Sequence, residues 1–128
     1  MLGRIRVLVA DDLPEIRTLV RTNLEFDGRF DIVGEAANGL EAVDMVHRQK
    51  PDVVVLDLAM PEMDGLAAIS KIRQSSPATK ILVLSAFADD HNSGLVKELG
   101  ANGFIAKDRP MDEVIEKLIE IAGVPSPE

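Results

Sequence analysis

Apolar positions along this chain alternate between short strand-like runs and helical spacing, five times over. Ile5-Arg6-Val7-Leu8-Val9-Ala10 is a β-branched run that stops at Asp11-Asp12. From Leu13 to about Phe26 the spacing turns helical, with Ile16, Leu19, Val20 and Leu24 on one face. Asp12 can cap that helix, Pro14 suits its first turn, and Gly28 closes it. Phe30 to Glu35 reads as a second strand and Asn38-Gly39 as a turn. A second helix, Leu40 to about Gln49, turns Ala42, Val43 and Val46 inward and ends before Pro51-Asp52. Val53-Val54-Val55-Leu56 and Ile81-Leu82-Val83-Leu84 are nearly continuous apolar runs, the pattern of strands buried on both faces of a parallel sheet. Between them, Asp64-Gly65 precedes a third helix carrying Leu66, Ile69 and Ile72, which Ser75-Ser76-Pro77 breaks. A fourth helix, weaker in pattern, runs from about Asp89 to Leu99. Gly100 to Gly103 is a turn and Phe104-Ile105-Ala106 a short strand. Pro110 opens a fifth helix with Val114, Ile115, Leu118 and Ile119 on one face.

This alternation predicts an α/β fold: a parallel sheet with helices on both faces and right-handed crossovers. With five strands the flavodoxin-like order 2-1-3-4-5 is expected, a (βα)5 three-layer sandwich. A length of 128 residues accommodates one domain, placed at residues 4–122. Residues 123–128 are short, polar and proline-containing, and read either as a frayed terminus or as the start of a linker.

Composition narrows the chemistry. Cysteine is absent, which rules out disulfides and thiolate metal sites. No apolar run approaches the ~20 residues of a membrane helix, and Met1–Val9 lacks a signal-peptide layout, so a cytoplasmic protein without membrane contact is expected. Net charge is −8, from 14 basic and 22 acidic residues, which repels nucleic-acid phosphates. Four Phe and neither Trp nor Tyr make no base-stacking platform. The acidic balance suits a cation site or a basic partner surface, and equally suits plain solubility.

In an open α/β sheet, ligands bind beyond the carboxyl ends of the strands where strand order reverses, here between strands 1 and 3. The residues just past the strands are Asp11 and Asp12, Asp57, Ser85 and Lys107, whereas Glu35 after strand 2 falls farther from the crevice. Three gathered carboxylates repel one another or recruit a cation. Hard oxygen ligands around an open site suit Mg²⁺, and Lys107 is a point charge for a carboxylate or a phosphate. Nucleophilic carboxylate, metal, cation and hydroxyl are the parts of a phosphoryl-transfer site. Each residue also has a plainer use: Asp12 and Ser85 as helix caps, Asp57 as a turn residue, Lys107 as a solvated side chain. Their coincidence at one predicted crevice favours the site.

Val7-Leu8-Val9-Ala10-Asp11-Asp12, the stretch Pro51 to Gly65 with its Asp-x-x-Met-Pro-x-Met-Asp-Gly core, Leu84-Ser85-Ala86, and Gly100-Ala101-Asn102-Gly103-Phe104-Ile105-Ala106-Lys107 closely resemble the receiver domain of two-component response regulators. The resemblance covers essentially residues 4–122. It implies that Asp57 is the phosphoacceptor, taking a phosphoryl group from a histidine of a partner histidine kinase. It further implies that Asp12 ligates Mg²⁺ directly, Asp11 through water, and Ala59 through its backbone carbonyl. Lys107 is expected to pair with Asp57 and then with a phosphoryl oxygen. Ser85 is expected to bond the phosphate, and Phe104 to be the switch aromatic that turns inward when the hydroxyl moves. Ala86 is small and leaves the phosphate accessible. His47 and His91 are expected to be exposed helix residues rather than phosphodonors.

Asp108 stands after Lys107 where many receivers have a cis proline, so a trans peptide is expected. Ala59 and Phe87 stand where polar side chains can orient hydrolytic water, so slow autodephosphorylation is expected. Phe30 to Gly39 and Gly100 to Asp108 resemble NarL/LuxR-type regulators, which carry a C-terminal helix-turn-helix domain after a linker. The resemblance then implies a transcriptional output domain absent from this chain, with DNA contacted only there, and a homodimer on phosphorylation, in some relatives through helices 1 and 5. The alternative is a stand-alone receiver acting by protein–protein interaction in a phosphorelay or chemotaxis-type pathway. A phosphatase of the haloacid-dehalogenase type wants a second acid two residues after its nucleophile, where Ala59 stands, so no enzyme is expected. A phosphorylation-independent dimerisation module would usually have lost an acidic residue or the lysine, and none is lost. No G-x-G-x-x-G or P-loop pattern suggests a nucleotide cofactor.

Overall fold

A computed structural model describes residues 3–60, 62–86 and 90–123. Pro61, Phe87, Asp89 and residues 124–128 lie outside them, as does the side chain of His91. In chain order the elements are β1 (Ile5–Ala10), α1 (Pro14–Asp27), β2 (Phe30–Ala36), α2 (Gly39–Gln49), β3 (Val53–Leu56), α3 (Gly65–Ser75), β4 (Lys80–Ser85), α4 (Asp90–Leu99), β5 (Gly103–Ala106) and α5 (Met111–Ala122). The five strands are parallel, in the order β2-β1-β3-β4-β5, and the three-layer flavodoxin-like expectation holds.

Strand alternation divides the core in two, because successive side chains point to opposite faces of a sheet. Leu8, Ala10, Val54, Leu56, Ile81 and Val83 face α2, α3 and α4 and pack on Ala42, Val46, Ala68, Ile69, Ile72 and Val96. Val7, Val9, Val53, Val55, Leu82 and Leu84 face α1 and α5 and pack on Val20, Leu24, Val114 and Leu118. β3 is buried along its whole length, as its continuous apolar run requires.

Element ends depart from the sequence reading in instructive places. The N-cap of α1 is Leu13, whose side chain makes no cap bond, so Asp12 does not cap that helix. Asp11 supplies the turn instead, its Oδ1 accepting the Leu13 N–H at 2.9 Å. Leu19 is 48% exposed rather than core, because α1 lies over the β1–β2 side of the sheet and buries only a narrow stripe around Val20 and Leu24. Asn38-Gly39 opens α2: the Asn38 side chain accepts the Glu41 N–H, while Glu41 reaches back to the Ala37 N–H. Asp64 caps α3 by accepting from Ala67 N–H. Gly28 ends α1 in the left-handed region at φ 89°, as expected of a C-terminal glycine. Among the described residues no helix is long and apolar enough to cross a membrane.

Candidate functional site

Parallel pairing brings the ends of β1, β3, β4 and β5 to one rim. Ala10 lies opposite Leu56, so the residues that follow, Asp11 and Asp57, are neighbours. The hydrogen-bond ladder continues past the strands: Asp57 N–H donates to Ala10 O, Asp11 N–H to Ala36 O and Lys107 N–H to Ser85 O, each at 3.0 Å. Asp11 and Asp57 are each 3% exposed, Ser85 is fully buried and Asp12 is exposed. One carboxylate oxygen from each of Asp11, Asp12 and Asp57 lies within 4.8 Å of the others. Phe104, in β5, is half-buried and packs against the core on the α2–α4 side of the sheet.

The charges do not balance. Lys107 Nζ stands 2.8 Å from Asp11 Oδ2 and 3.3 Å from Asp57 Oδ2. The resemblance implies a pairing with Asp57; Lys107 stands between the two carboxylates, closer to Asp11. Burial, and then the charge of Asp11, push the Asp57 carboxyl above its ordinary pKa, against the pull of Lys107 and of the Ala59 N–H that bonds it. Burial alone would lower Lys107, but its bond to Asp11 and the charges of Asp57 and Asp11 raise it. One ammonium thus faces three carboxylates, two of them buried. The oxygen-only donor set and the uncompensated charge fit a hard divalent cation such as Mg²⁺. Both Asp11 oxygens already accept hydrogen bonds, whereas none from the described residues reaches the Asp12 carboxylate.

Close backbone approach explains the Asp-Gly step after β3. A Cβ on Gly65 would fall 2.4 Å from the Asp57 carbonyl oxygen and 2.6 Å from Leu58 Cα, while Gly65 N–H bonds Leu58 O at 2.9 Å. The returning loop also crosses α2, where a Cβ on Gly39 would lie 1.8 Å from the Met63 carbonyl oxygen. On the other side of the rim a cleft of about 400 Å³ opens beside Lys107, lined by Ala86, Ala106 and Asp108. Ala86 is exposed and small, which keeps it open. Among the described residues no peptide bond is cis, so Lys107–Asp108 is trans as expected. His47 is exposed on α2.

Residues 7–119 match the family model of the response regulator receiver domain. The chain belongs to this family. Chemotaxis protein CheY of Listeria monocytogenes is 40% identical over 121 residues, covering 92% of this receiver and 98% of that protein. The uncharacterized transcriptional regulatory protein YhcZ of Bacillus subtilis is 37% identical over 112 residues, 88% of this chain but 52% of its own length. The signal receiver domain of the putative response regulator NarL from Mycobacterium tuberculosis superposes with a TM-score of 0.88 at 32% identity, covering 92% of this chain and 95% of that one. The receiver thus spans nearly all of one relative and about half of another.

Sequence reasoning missed a layer behind the receiver's acidic rim. Arg17, one turn into α1, donates from Nη1 to the Asp11 carbonyl oxygen at 2.6 Å and from Nε to Glu35 Oε1 at 3.3 Å. Arg21 holds the other Glu35 oxygen. Glu35 therefore does lie away from the crevice, yet connects to Asp11 through Arg17. A signal was present: a cation near a helix N-terminus opposes the helix dipole and needs another reason to be there.

Proposed function

We propose that this receiver is a phosphoacceptor: Asp57 takes a phosphoryl group from a phosphohistidine of a partner histidine kinase, and the added charge switches an output. The observation that carries the reading is the buried Asp57 carboxylate held 3.3 Å from Lys107 within the acidic group. One Asp57 oxygen forms the new P–O bond as the P–N bond breaks, and that bond's electron pair stays on the imidazole. The Ala59 N–H and Lys107 fix the carboxylate, and Lys107 is in reach to pair with a phosphoryl oxygen. The cleft beside Lys107 gives an incoming imidazole its approach. Asp12 and the Ala59 carbonyl would hold Mg²⁺ together with Asp57, and Asp11, whose oxygens are engaged, would reach it through water. Bound there, the ion offsets charge between the acidic rim and phosphoryl oxygens.

Ser85, buried at the end of β4, would bond the phosphoryl group, and Phe104 would follow it inward as the switch aromatic. The role is signalling rather than turnover of a substrate, in a cytoplasmic setting without membrane contact. Two outputs have support. Half coverage of the YhcZ relative favours a domain of residues 4–122, a linker from 123 and a helix-turn-helix domain beyond, through which alone DNA would be contacted, with homodimerisation on phosphorylation. Near-complete coverage of the Listeria CheY favours a stand-alone receiver acting by protein contact. The next ~80 codons of the gene separate them, since a helix-turn-helix module needs about that length. Incubation with a small phosphodonor and Mg²⁺, followed by intact-mass measurement, tests the acceptor. Wild type is expected to gain one phosphoryl mass and Asp57→Asn none; equal labelling of both would place the acceptor elsewhere.

A further inference from the structure

Asp11 has every polar atom committed. Its N–H goes to Ala36 O, its Oδ1 takes the Leu13 N–H, its Oδ2 takes Lys107, and its carbonyl takes Arg17. The first and last of these tie the β1–α1 turn to the end of β2: one directly, the other through the Arg17 fork and Glu35. Arg17 and Glu35 are largely buried, with side chains 17% and 28% exposed, and Arg21 secures Glu35 from a second side. A guanidinium with two fixed acceptors has little freedom, so the Asp11 carbonyl is gripped rather than merely solvated.

We propose that Arg17 is a positioning residue for the metal-binding turn: clamped by Glu35, it holds the Asp11 backbone so that Asp11 and Asp12 present their carboxylates to a divalent cation. This rests on the reading of the acidic rim as a Mg²⁺ site. Asp12 directly follows the gripped carbonyl and no described residue bonds its carboxylate, so the peptide it hangs from is what aims it. Outer-shell partners that orient ligands this way typically govern about 10–100-fold of metal affinity.

Charge and positioning predict opposite signs, which makes the idea testable. Arg17 is a cation near a cation site, so as a charge it weakens Mg²⁺ binding, and its removal would tighten it. As a brace it strengthens binding, and its removal loosens it. The experiment titrates Mg²⁺ into the full chain by calorimetry for wild type, Arg17→Met, Arg17→Lys and Glu35→Gln, with thermal melts in EDTA alongside. Arg17→Met keeps the apolar stem, and Arg17→Lys keeps the charge but not the fork. Both are expected to lose about 10–100-fold in Mg²⁺ affinity, and Glu35→Gln less, because Arg17 still reaches Asp11. All are expected to melt cooperatively in EDTA, and where Arg17→Met does not, Arg17→Lys decides. Unchanged or tighter binding in Arg17→Met with wild-type affinity in Arg17→Lys would overturn the brace while leaving the metal site standing. Absence of Mg²⁺ binding by wild type would overturn both, and would show in the wild-type titration itself.

Discussion

Replacing Asp57 with Asn should make the metal-free chain more stable at pH 7, although it removes the proposed phosphoacceptor. The charge–charge interactions of Asp57 nearly cancel. A like charge on Asp11, with oxygens within 4.8 Å, costs about 3.5 kcal/mol at an effective dielectric near 20. Asp12 is exposed and adds about 1 kcal/mol at the dielectric of water. Lys107 at 3.3 Å returns about 5 kcal/mol on the same scale. What is left is the removal of a carboxylate from water, worth several kcal/mol, partly offset by the Ala59 N–H at about 1.5–3 kcal/mol. The ionised group therefore costs the fold about 2 kcal/mol, and neutral Asn avoids most of that cost. For a chain of this length that is a rise in Tm of roughly 5–10 °C.

The pH dependence has a definite sign. The folded Asp57 pKa is raised, by burial first and the Asp11 charge second. Between the ordinary aspartate value and that raised value the folded chain binds more protons than the unfolded one. Wild-type stability thus falls as pH rises through the window, and the penalty is complete above it. The advantage of Asp57→Asn should be greatest at pH 7–8 and shrink toward about pH 4. Thermal melts in EDTA across that range, scored as the difference between variant and wild type, are the assay. Added Mg²⁺ should reverse the order, since a ligand at 100 times its Kd stabilises its own site by about 2.7 kcal/mol. A variant no more stable than wild type at pH 7 in EDTA, or an advantage that grows on acidification, would refute the electrostatic account.

Lys107→Met should have the opposite effect, costing about 3 kcal/mol at pH 7 in urea unfolding, because it leaves Asp11 and Asp57 facing each other without a cation. Since the folded Lys107 pKa is raised, that cost is present from neutral pH up to the ordinary lysine value and fades only as pH climbs through the raised one. Gly65→Ala should lose about 2–3 kcal/mol, because backbone atoms of Asp57 and Leu58 stand where the methyl would go. Gly94→Ala, in α4 with nothing within 4 Å, should instead gain about 0.5–1 kcal/mol; equal effects of the two changes would remove close approach as the reason for Gly65. Once phosphorylated in Mg²⁺, the chain should keep its phosphoryl group for minutes or longer, since Ala59 offers no polar side chain to orient water. A lifetime of seconds by timed intact-mass measurement would contradict this.

Much of the site was legible because position along a parallel sheet is written in apolar runs. β3 and β4 are buried on both faces, their runs end at Asp57 and Ser85, and a sheet of this order brings such ends together. What escaped were matters of direction and distance. A helical stripe drawn through Ile16, Leu19 and Val20 cannot say how wide a strip the sheet covers, and Leu19 fell outside it. Asp11 and Asp12 are both able to make an Asx-type turn, and only the coordinates show that Asp11 makes it. The Arg17–Glu35 pair joins residues 18 apart, outside any helical or strand period. In sequence Gly65 merely precedes the third helix, whereas its lack of a side chain also makes room for the carbonyl of Asp57.

The two ends of the sheet are built from different contacts, and that difference bears on where added charge would act. At the carboxyl end stand like charges, small residues and an open cleft. At the opposite end the chain is stapled. Arg6 donates to Gln49 O and Lys50 O, Lys50 Nζ to Ser75 O, and Thr79 Oγ1 to Pro51 O. Arg73 alone spans Pro77 O, Thr79 O, Gly100 O and Asn102 Oδ1, tying the end of α3 to the turn between α4 and β5. The C-terminal end of α4 is thereby tied to α3 and β5, while its N-terminal end follows β4 at the rim that carries Asp57, so a phosphoryl group added to Asp57 should move the first turns of α4 and leave the last in place. Arg73→Ala should cost about 2–4 kcal/mol, roughly 1 kcal/mol for each bond lost. It should also speed hydrogen exchange at Gly100, Ala101 and Asn102 and let phosphodonor-induced changes in exchange spread to the end of α4. Exchange changes that cover all of α4 in wild type, or an Arg73→Ala variant whose changes stay confined to its first turns, would show that Arg73 is not the anchor.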